Sequence, residues 1–262
     1  MTRIPTLRAV ALHYELTTGA TLPCVFACED ATGDPAGEYV VKFRSSIRGG
    51  PTGLLFELIA AQLALRLGLH TPSIAIVGLD HPLADATPNP GVAARIHASV
   101  GLNYGCCYLS PGYNTWRIDG PVPLPLRTRA LEVMAFDALI DNSDRRRDKP
   151  NLLWKGDEIF VLDHELCFTF VRLIGDRYLP FDYHSLAFLT AHPLYAGLLG
   201  RFTDLSRFTG ELESIDEDTL ESFFAAAPAE FGRAHQEQIV EWLIKAAQRR
   251  EFLVDSLRKM LS

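Results

Sequence analysis

The chain has 262 residues and a formal net charge of −7, with 48% hydrophobic and 22% charged residues. That length and apolar share build one large domain or two small ones around a sizeable core, and they exclude a disordered chain. The acidic balance offers no basic footprint for nucleic acid, and the lack of any run of about 18 apolar residues predicts no membrane-spanning helix. The opening MTRIPTLRAVAL lacks the apolar core of a signal peptide. The five cysteines, Cys24, Cys28, Cys106, Cys107 and Cys167, form no C-x-x-C pair, and their odd number argues against a disulfide framework; reduced cysteines of a cytoplasmic protein are expected. Arginine far outnumbers lysine, and Lys42 is the only lysine ahead of Lys149.

In chain order, Arg8–Glu15 and Leu22–Glu29 carry β-type residues around the Thr17-Thr18-Gly19-Ala20 turn and predict a hairpin. A Gly/Asp/Pro turn at Asp30–Gly37 leads to a third strand, Glu38–Arg44, and then to a loop with three glycines. Leu54–Leu67 is rich in helix formers and stops at Gly68, which reads as a helix with a left-handed cap. Ser73–Leu79 and Gly91–His97 are predicted as strands separated by a Pro-rich turn. The prolines and glycines of residues 110–127 mark a connector. Thr128–Asp141 follows as a helix with Leu131, Met134, Ala135, Ala138 and Leu139 on one face, then short strands Leu152–Trp154 and Ile159–Leu162. The rest reads as helical and ends in one long helix, Gln236–Leu261, with an apolar stripe. Trp154, Phe168, Phe170 and Trp242 are expected in the core. The order is α+β: a β-rich lobe with one helix, residues 1–109, then a mostly helical lobe, residues 110–262, with a cleft between them.

Three groups of residues carry chemistry. Lys42 shares a strand face with Val40, and an ammonium on an otherwise apolar face needs an anionic partner. Glu57 on the following helix, beside Ala60, Ala61 and Ala64, supplies one; the alternative is an edge strand with a solvated lysine. The loop Asp141-Asn142-Ser143-Asp144-Arg145-Arg146-Arg147-Asp148-Lys149-Pro150-Asn151 gathers carboxylates and amides between a helix and a strand. Asp163 ends the next hairpin, so Asn151 and Asp163 flank it as hard oxygen donors suited to Mg²⁺. Asp144 is then placed to take or orient a hydroxyl proton. The alternative is a polar turn of capping acids and paired arginines. Arg145–Arg147 reads as a solvated run pairing with Asp141, Asp144 and Asp148, or as a site for an anionic substrate. His164 reads as structural. Lys, Glu, Asp, Asn, Asp is the order of phosphoryl-transfer parts in kinase-like folds.

The stretch FDALIDNSDR … PNLLW … LDH, with EYVVKF, FELIAAQLALRLGL and His70-Thr71-Pro72, resembles the HipA-like kinases of the protein-kinase-like superfamily. The resemblance covers most of the chain and implies a bilobal protein-kinase-like fold. It implies a kinase dependent on ATP and Mg²⁺ that transfers the γ-phosphoryl group to a Ser or Thr hydroxyl of a protein. By the same resemblance Lys42 contacts the α/β-phosphates and Glu57 orients it. Thr18 and Gly19 lie in the phosphate-covering turn, Tyr108 and Leu109 in the hinge that meets adenine. Asp144 is the catalytic aspartate, and Asn151 and Asp163 hold Mg²⁺. A small partner protein is compatible with it; neither nucleic acid nor membrane is expected as a direct partner. Ser45, Ser46 and Thr52, after Lys42, are candidate autophosphorylation sites. The sequence departs from the family pattern in a longer Asp-to-Asn gap, in Arg146 where a histidine is usual, and in a covering turn with the single glycine Gly19. These departures keep open a nucleotide-binding pseudokinase that acts as a partner-binding module, and a small-molecule phosphotransferase or nucleotidyltransferase. Where arginine fills nearly every early cationic position, the one lysine favours a compact phosphate ligand over a surface charge.

Overall fold

A computed structural model describes residues 3–17, 21–109, 112–117, 120–172, 179–181 and 186–262. The chain divides into two compact units: one of Met1–Ile59, Pro72–Ser110 and Ala225–Ala234, the other of Ala60–Thr71, Pro111–Phe224 and His235–Ser262. α+β content runs through both.

The first unit is built on β1 (Thr6–Glu15), β2 (Cys24–Glu29), β3 (Pro35–Lys42), β4 (Ile74–Leu79) and β5 (Gly101–Cys107). These close into a barrel in the order β1-β2-β3-β5-β4, with the seam made by a short parallel pairing of Thr6, Leu7 and Arg8 with Ile76, Val77 and Gly78. The sequence implied a β-rich part but not its closure. Register shifts within β1, between Ala9 and Ala11 and between Leu12 and Tyr14, break the regular ladder with β2, and bulges of this kind let a strand bend around a barrel. Alternate residues point inward: Leu7, Ala9, Phe26, Cys28, Tyr39, Val41, Ala75 and Val77 are all in the core, where Phe26 meets Phe43 edge to face at 6.1 Å. Gly105 is required by this packing, because a Cβ there would lie 2.5 Å from Val77 Cγ2.

The helix α1 (Pro51–Arg66) begins earlier than the sequence suggests. It is buried almost all round from Gly53 to Ala64, which is why its apolar residues show no clean stripe. It ends as expected at Gly68, whose φ of +71° permits Leu69 N–H to bond Ala64 O at 2.9 Å and Gly68 N–H to bond Leu65 O at 3.0 Å. Two short helices follow β4: α2 (His81–Asp85) and α3 (Pro90–Ala98). The latter overturns the strand expected at Gly91–His97. Asn89 Oδ1 accepts from Gly91 N at 2.9 Å and Val92 N at 3.2 Å, and Pro90 takes the first helical position, so Asn-Pro opens a helix rather than closing a turn. The strand lies further on, at β5.

The second unit contains β6 (Asn114–Thr115), α4 (Arg127–Leu139), β7 (Leu152–Lys155) and β8 (Glu158–Val161). β6 is a two-residue edge inside the expected connector, completing a three-stranded sheet β6-β7-β8. α4 is buried on every face from Ala130 to Leu139, not on one stripe. Its C-terminal carbonyl at Leu139 accepts from Trp242 Nε1 at 2.9 Å, and the Trp242 ring stacks on Phe170 at 4.2 Å. Phe168 is also core, whereas Trp154 is only half-buried on β7. After α5 (Tyr195–Leu198), α6 (Ser206–Glu213) and α7 (Glu217–Ala225), the expected single terminal helix is two: α8 (Gln236–Gln248) and α9 (Arg250–Leu261). Arg249 leaves helical geometry at φ −103°, ψ 16°, while its N–H still bonds Lys245 O and Ala246 O at 3.1 Å. One broken residue leaves the apolar period running from Ile239 to Met260, so the stripe alone hides the break. No helix among the described residues is long and apolar enough to cross a membrane.

Candidate functional site

In the first unit, β3 turns Tyr39 and Val41 into the barrel and leaves Val40 and Lys42 half-buried on its other face. Lys42 Nζ pairs with Glu57 Oε1 of α1, with side-chain exposures of 12% and 1%. Glu57 lies deep in the unit, and the lysine neutralises a carboxylate that burial would otherwise penalise heavily. Tyr108 and Leu109 are half-buried just beyond β5. Tyr108 N–H extends the ladder to Glu38 O at 2.8 Å, and its ring meets Tyr14 edge to face at 5.8 Å. Thr18 and Gly19 lie outside the described residues.

In the second unit the chemistry gathers on the loop between α4 and β7 and on the end of β8. The loop folds back on itself in a tight turn: Arg146 N–H bonds Lys149 O at 3.2 Å and Lys149 N–H bonds Arg146 O at 3.0 Å. Arg147 and Asp148 are exposed at its tip. Asp144 and Asp163 then meet on one cation: Lys149 Nζ lies 2.6 Å from Asp144 Oδ2 and 3.0 Å from Asp163 Oδ2. Asn151 Nδ2 donates to the same Asp163 oxygen at 3.0 Å. Burial opposes the charge on Lys149, but the charge of Asp163 and bonds to both carboxylates outweigh it and raise its pKa. Lys149 was not singled out from sequence; its spacing two residues before Asn151 was the available signal.

Asp141, Asn151 and Asp163 all have left-handed backbones, at φ +49°, +47° and +59°. Asp and Asn tolerate this region best among residues with a Cβ, and such conformations concentrate where the surrounding fold enforces them. At Asn151 and Asp163 the enforcing group is Arg145. It was expected in a solvated run, yet it is 1% exposed. Its Nη1 donates to the carbonyls of Asn151 and of Leu162 (3.1 Å), the residue before Asp163. Its Nη2 donates to His164 Nε2 at 3.1 Å, which leaves that nitrogen the acceptor and His164 a structural residue, as expected. Its Nε reaches Asp137 Oδ2 at 2.5 Å. Asp137 also accepts from Asn142 Nδ2 and from His192 Nε2, each at 2.9 Å. The His192 tautomer follows from its other nitrogen, which accepts from Leu194 N–H at 3.2 Å. Complete burial pushes Asp137 up, but the Arg145 charge and the His192 bond prevail and hold it at about 2. His192 is pushed below its ordinary value by the same burial. Arg146 does pair with Asp148, at 3.2 Å on the surface. The pairing expected between the arginine run and Asp141 is replaced by a bond from the Thr169 hydroxyl to Asp141 Oδ2.

Asp144 and Asp163 already gather one positive charge, and Asn151, bonded to Asp163, adds an amide oxygen to the set; these hard donors fit a magnesium ion.

Residues 10–172, more than half of the chain, match the family model described as HipA-like kinase. The chain belongs to the HipA-like kinase family. The proinflammatory kinase CtkA of Helicobacter pylori has a similar fold: it is 14% identical, with 97% of each chain covered and a TM-score of 0.51. The Neurospora crassa PAN3 pseudokinase is 12% identical over 99% of this chain and 64% of its own, at a TM-score of 0.36. No curated protein matches. The resemblance read from FDALIDNSDR, PNLLW, LDH and EYVVKF is thus a family relationship, and the α+β fold of this HipA-like kinase is kinase-like.

Proposed function

We propose that this member of the HipA-like kinases transfers the γ-phosphoryl group of ATP, with Mg²⁺, to a Ser or Thr hydroxyl of a protein in the cytoplasm. The observation that supports it most is the meeting of Asp144 and Asp163 on one positive charge, with Asn151 bonded to Asp163. In this reading 1–109 is the N-lobe and 110–262 the C-lobe of a bilobal kinase. Lys42, oriented by Glu57, binds the α/β-phosphates; Tyr108 and Leu109 meet adenine; Thr18 and Gly19 cover the phosphates. Asn151 and Asp163 hold Mg²⁺, which when bound offsets the negative charge of the phosphates. Asp144 aligns the acceptor hydroxyl and takes its proton. The hydroxyl oxygen bonds to the γ-phosphorus as the bond to the departing ADP oxygen breaks.

The test is incubation of the full chain and a lysate with Mg²⁺ and γ-labelled ATP, followed by mass spectrometry of the labelled products. Label on Ser or Thr that is lost in Asp144→Ala and in Asp163→Ala supports the reading; full transfer by either variant overturns it. Label carried from α-labelled ATP instead identifies nucleotidyl transfer. A second reading, a nucleotide-binding pseudokinase, draws on Arg146 in the place of the usual histidine. It is distinguished by thermal stabilisation with ATP and no turnover.

A further inference from the structure

Four cations stand within five positions of the loop, and each is used differently. Arg145 is buried on backbone carbonyls, Arg146 pairs with its neighbour Asp148 at the surface, and Arg147 is exposed at the tip. Lys149 alone among them reaches two carboxylates from separate elements, Asp144 from the loop and Asp163 from beyond β8. The reach is built: the paired backbone bonds between Arg146 and Lys149 fix where the lysine leaves the main chain. Its side chain is 25% exposed, against 12% for Asp144 and 22% for Asp163, so the contact is partly shielded from solvent. Two carboxylates brought this close repel unless a cation lies between them. A compact ammonium serves there, and a planar guanidinium would spread its charge over a wider fork.

We propose that Lys149 is the positioning residue and internal counter-cation of this acidic site. It holds Asp144 and Asp163 together in the metal-free chain, and a divalent cation must displace it from Asp163. The inference rests on the reading of Asp163 as a metal ligand. A divalent cation bound through either oxygen of Asp163 would sit beside the Lys149 ammonium on Oδ2 and be strongly repelled by it. Lys149 therefore weakens binding of the bare metal while keeping the two carboxylates in register.

Two measurements on the full chain test this. In the first, Mn²⁺ binding is followed by electron paramagnetic resonance for wild type, Lys149→Met, Lys149→Arg and Asp163→Asn. The expected result is at least fivefold tighter binding in Lys149→Met, a value between those of Lys149→Met and wild type in Lys149→Arg, whose charge is more spread, and at least tenfold weaker binding in Asp163→Asn. In the second, acetylation of Lys149 is timed by peptide mass spectrometry with and without Mg²⁺, with Lys155 as the internal reference. The Lys149 rate should rise at least threefold with Mg²⁺ in wild type and not in Asp163→Asn. A merely structural ion pair would not respond to Mg²⁺. If Asp163→Asn weakens Mn²⁺ binding but Lys149→Met stays within twofold of wild type, or Mg²⁺ leaves the Lys149 rate unchanged, the proposal fails and the metal reading stands. If Asp163→Asn binds Mn²⁺ as wild type does, or wild type binds none, the metal reading fails and takes the proposal with it.

Discussion

Replacing Arg145 with Met removes a buried cation while leaving its apolar stem in place. Asp137 is then left fully buried with Asn142 and His192 as donors but without its charged partner. Breaking a buried ion pair from one side costs about 3–5 kcal/mol, because the surviving charge stays buried. In a chain of this size that lowers the melting temperature by about 6–20 °C. The pH dependence tests the cause. In wild type Asp137 is held from 3.8 down to about 2, so its ionisation contributes about 2–3 kcal/mol. A lowered carboxyl stabilises above its unfolded value, and the benefit is lost as pH falls from about 4 towards 2.

In Arg145→Met the sign reverses. Burial, already the largest influence on Asp137, is no longer outweighed, so its pKa rises above the ordinary carboxylate value and protonation relieves the variant. His192 moves the same way: losing a nearby cation lets it charge more readily. The stability gap between wild type and variant should therefore be widest at pH 7 and narrow steadily towards pH 4. Urea unfolding followed by tryptophan fluorescence at several pH values reads this directly. Asp137→Asn combined with Arg145→Met should restore at least half of the loss at pH 7, since neither charge remains. An Arg145→Met chain that melts within 2 °C of wild type at pH 7, or a gap that does not change with pH, would refute the reasoning.

Gly105→Ala forces a Cβ to within 2.5 Å of Val77 Cγ2 inside the barrel and should cost about 1–3 kcal/mol in urea unfolding; adding Val77→Ala should recover most of it, and no recovery would mean the clash is not the cause. Asn89→Ala removes the oxygen that caps two amides at the start of α3 and should cost about 1 kcal/mol by the same assay, with an unchanged midpoint counting against the cap.

What was legible in the sequence was local. Lys42 could be matched to Glu57 because strand alternation puts it on a half-buried face and the next helix carries one acid among alanines. Gly68 announced its own cap. The barrel seam was not legible, since β1 meets β4 some 70 positions along the chain by only three paired residues. β5 was hidden for a related reason: GLNYGCC lacks the β-branched residues of a strong strand, and its Gly105 answers to Val77 rather than to local propensity. Asn89-Pro90 carried the start signal of α3, but apolar alternation in the residues after it matched a strand equally well. The arginine run misled most. Arg145 looked like its two neighbours, and its partners Asp137 and His164 sit 8 and 19 positions away on elements whose packing no local pattern reveals.

Two cations of one loop divide the work by their shapes. Holding left-handed backbones at Asn151 and Asp163 costs about 1–3 kcal/mol each, and glycine would relieve it. The chain keeps an amide and a carboxylate there instead, so the side chains matter more than the strain. Something rigid must then hold the main chain, and only a planar fork can bond the carbonyls of Asn151 and Leu162, the ring of His164 and the carboxylate of Asp137 at once. A lysine at position 145 has too few directed donors for that. The opposite holds at position 149, where the need is a compact charge that sits between two carboxylates and can leave. Arginine builds the frame and lysine fills it, which is why a chain otherwise rich in arginine has lysine at this point in the loop.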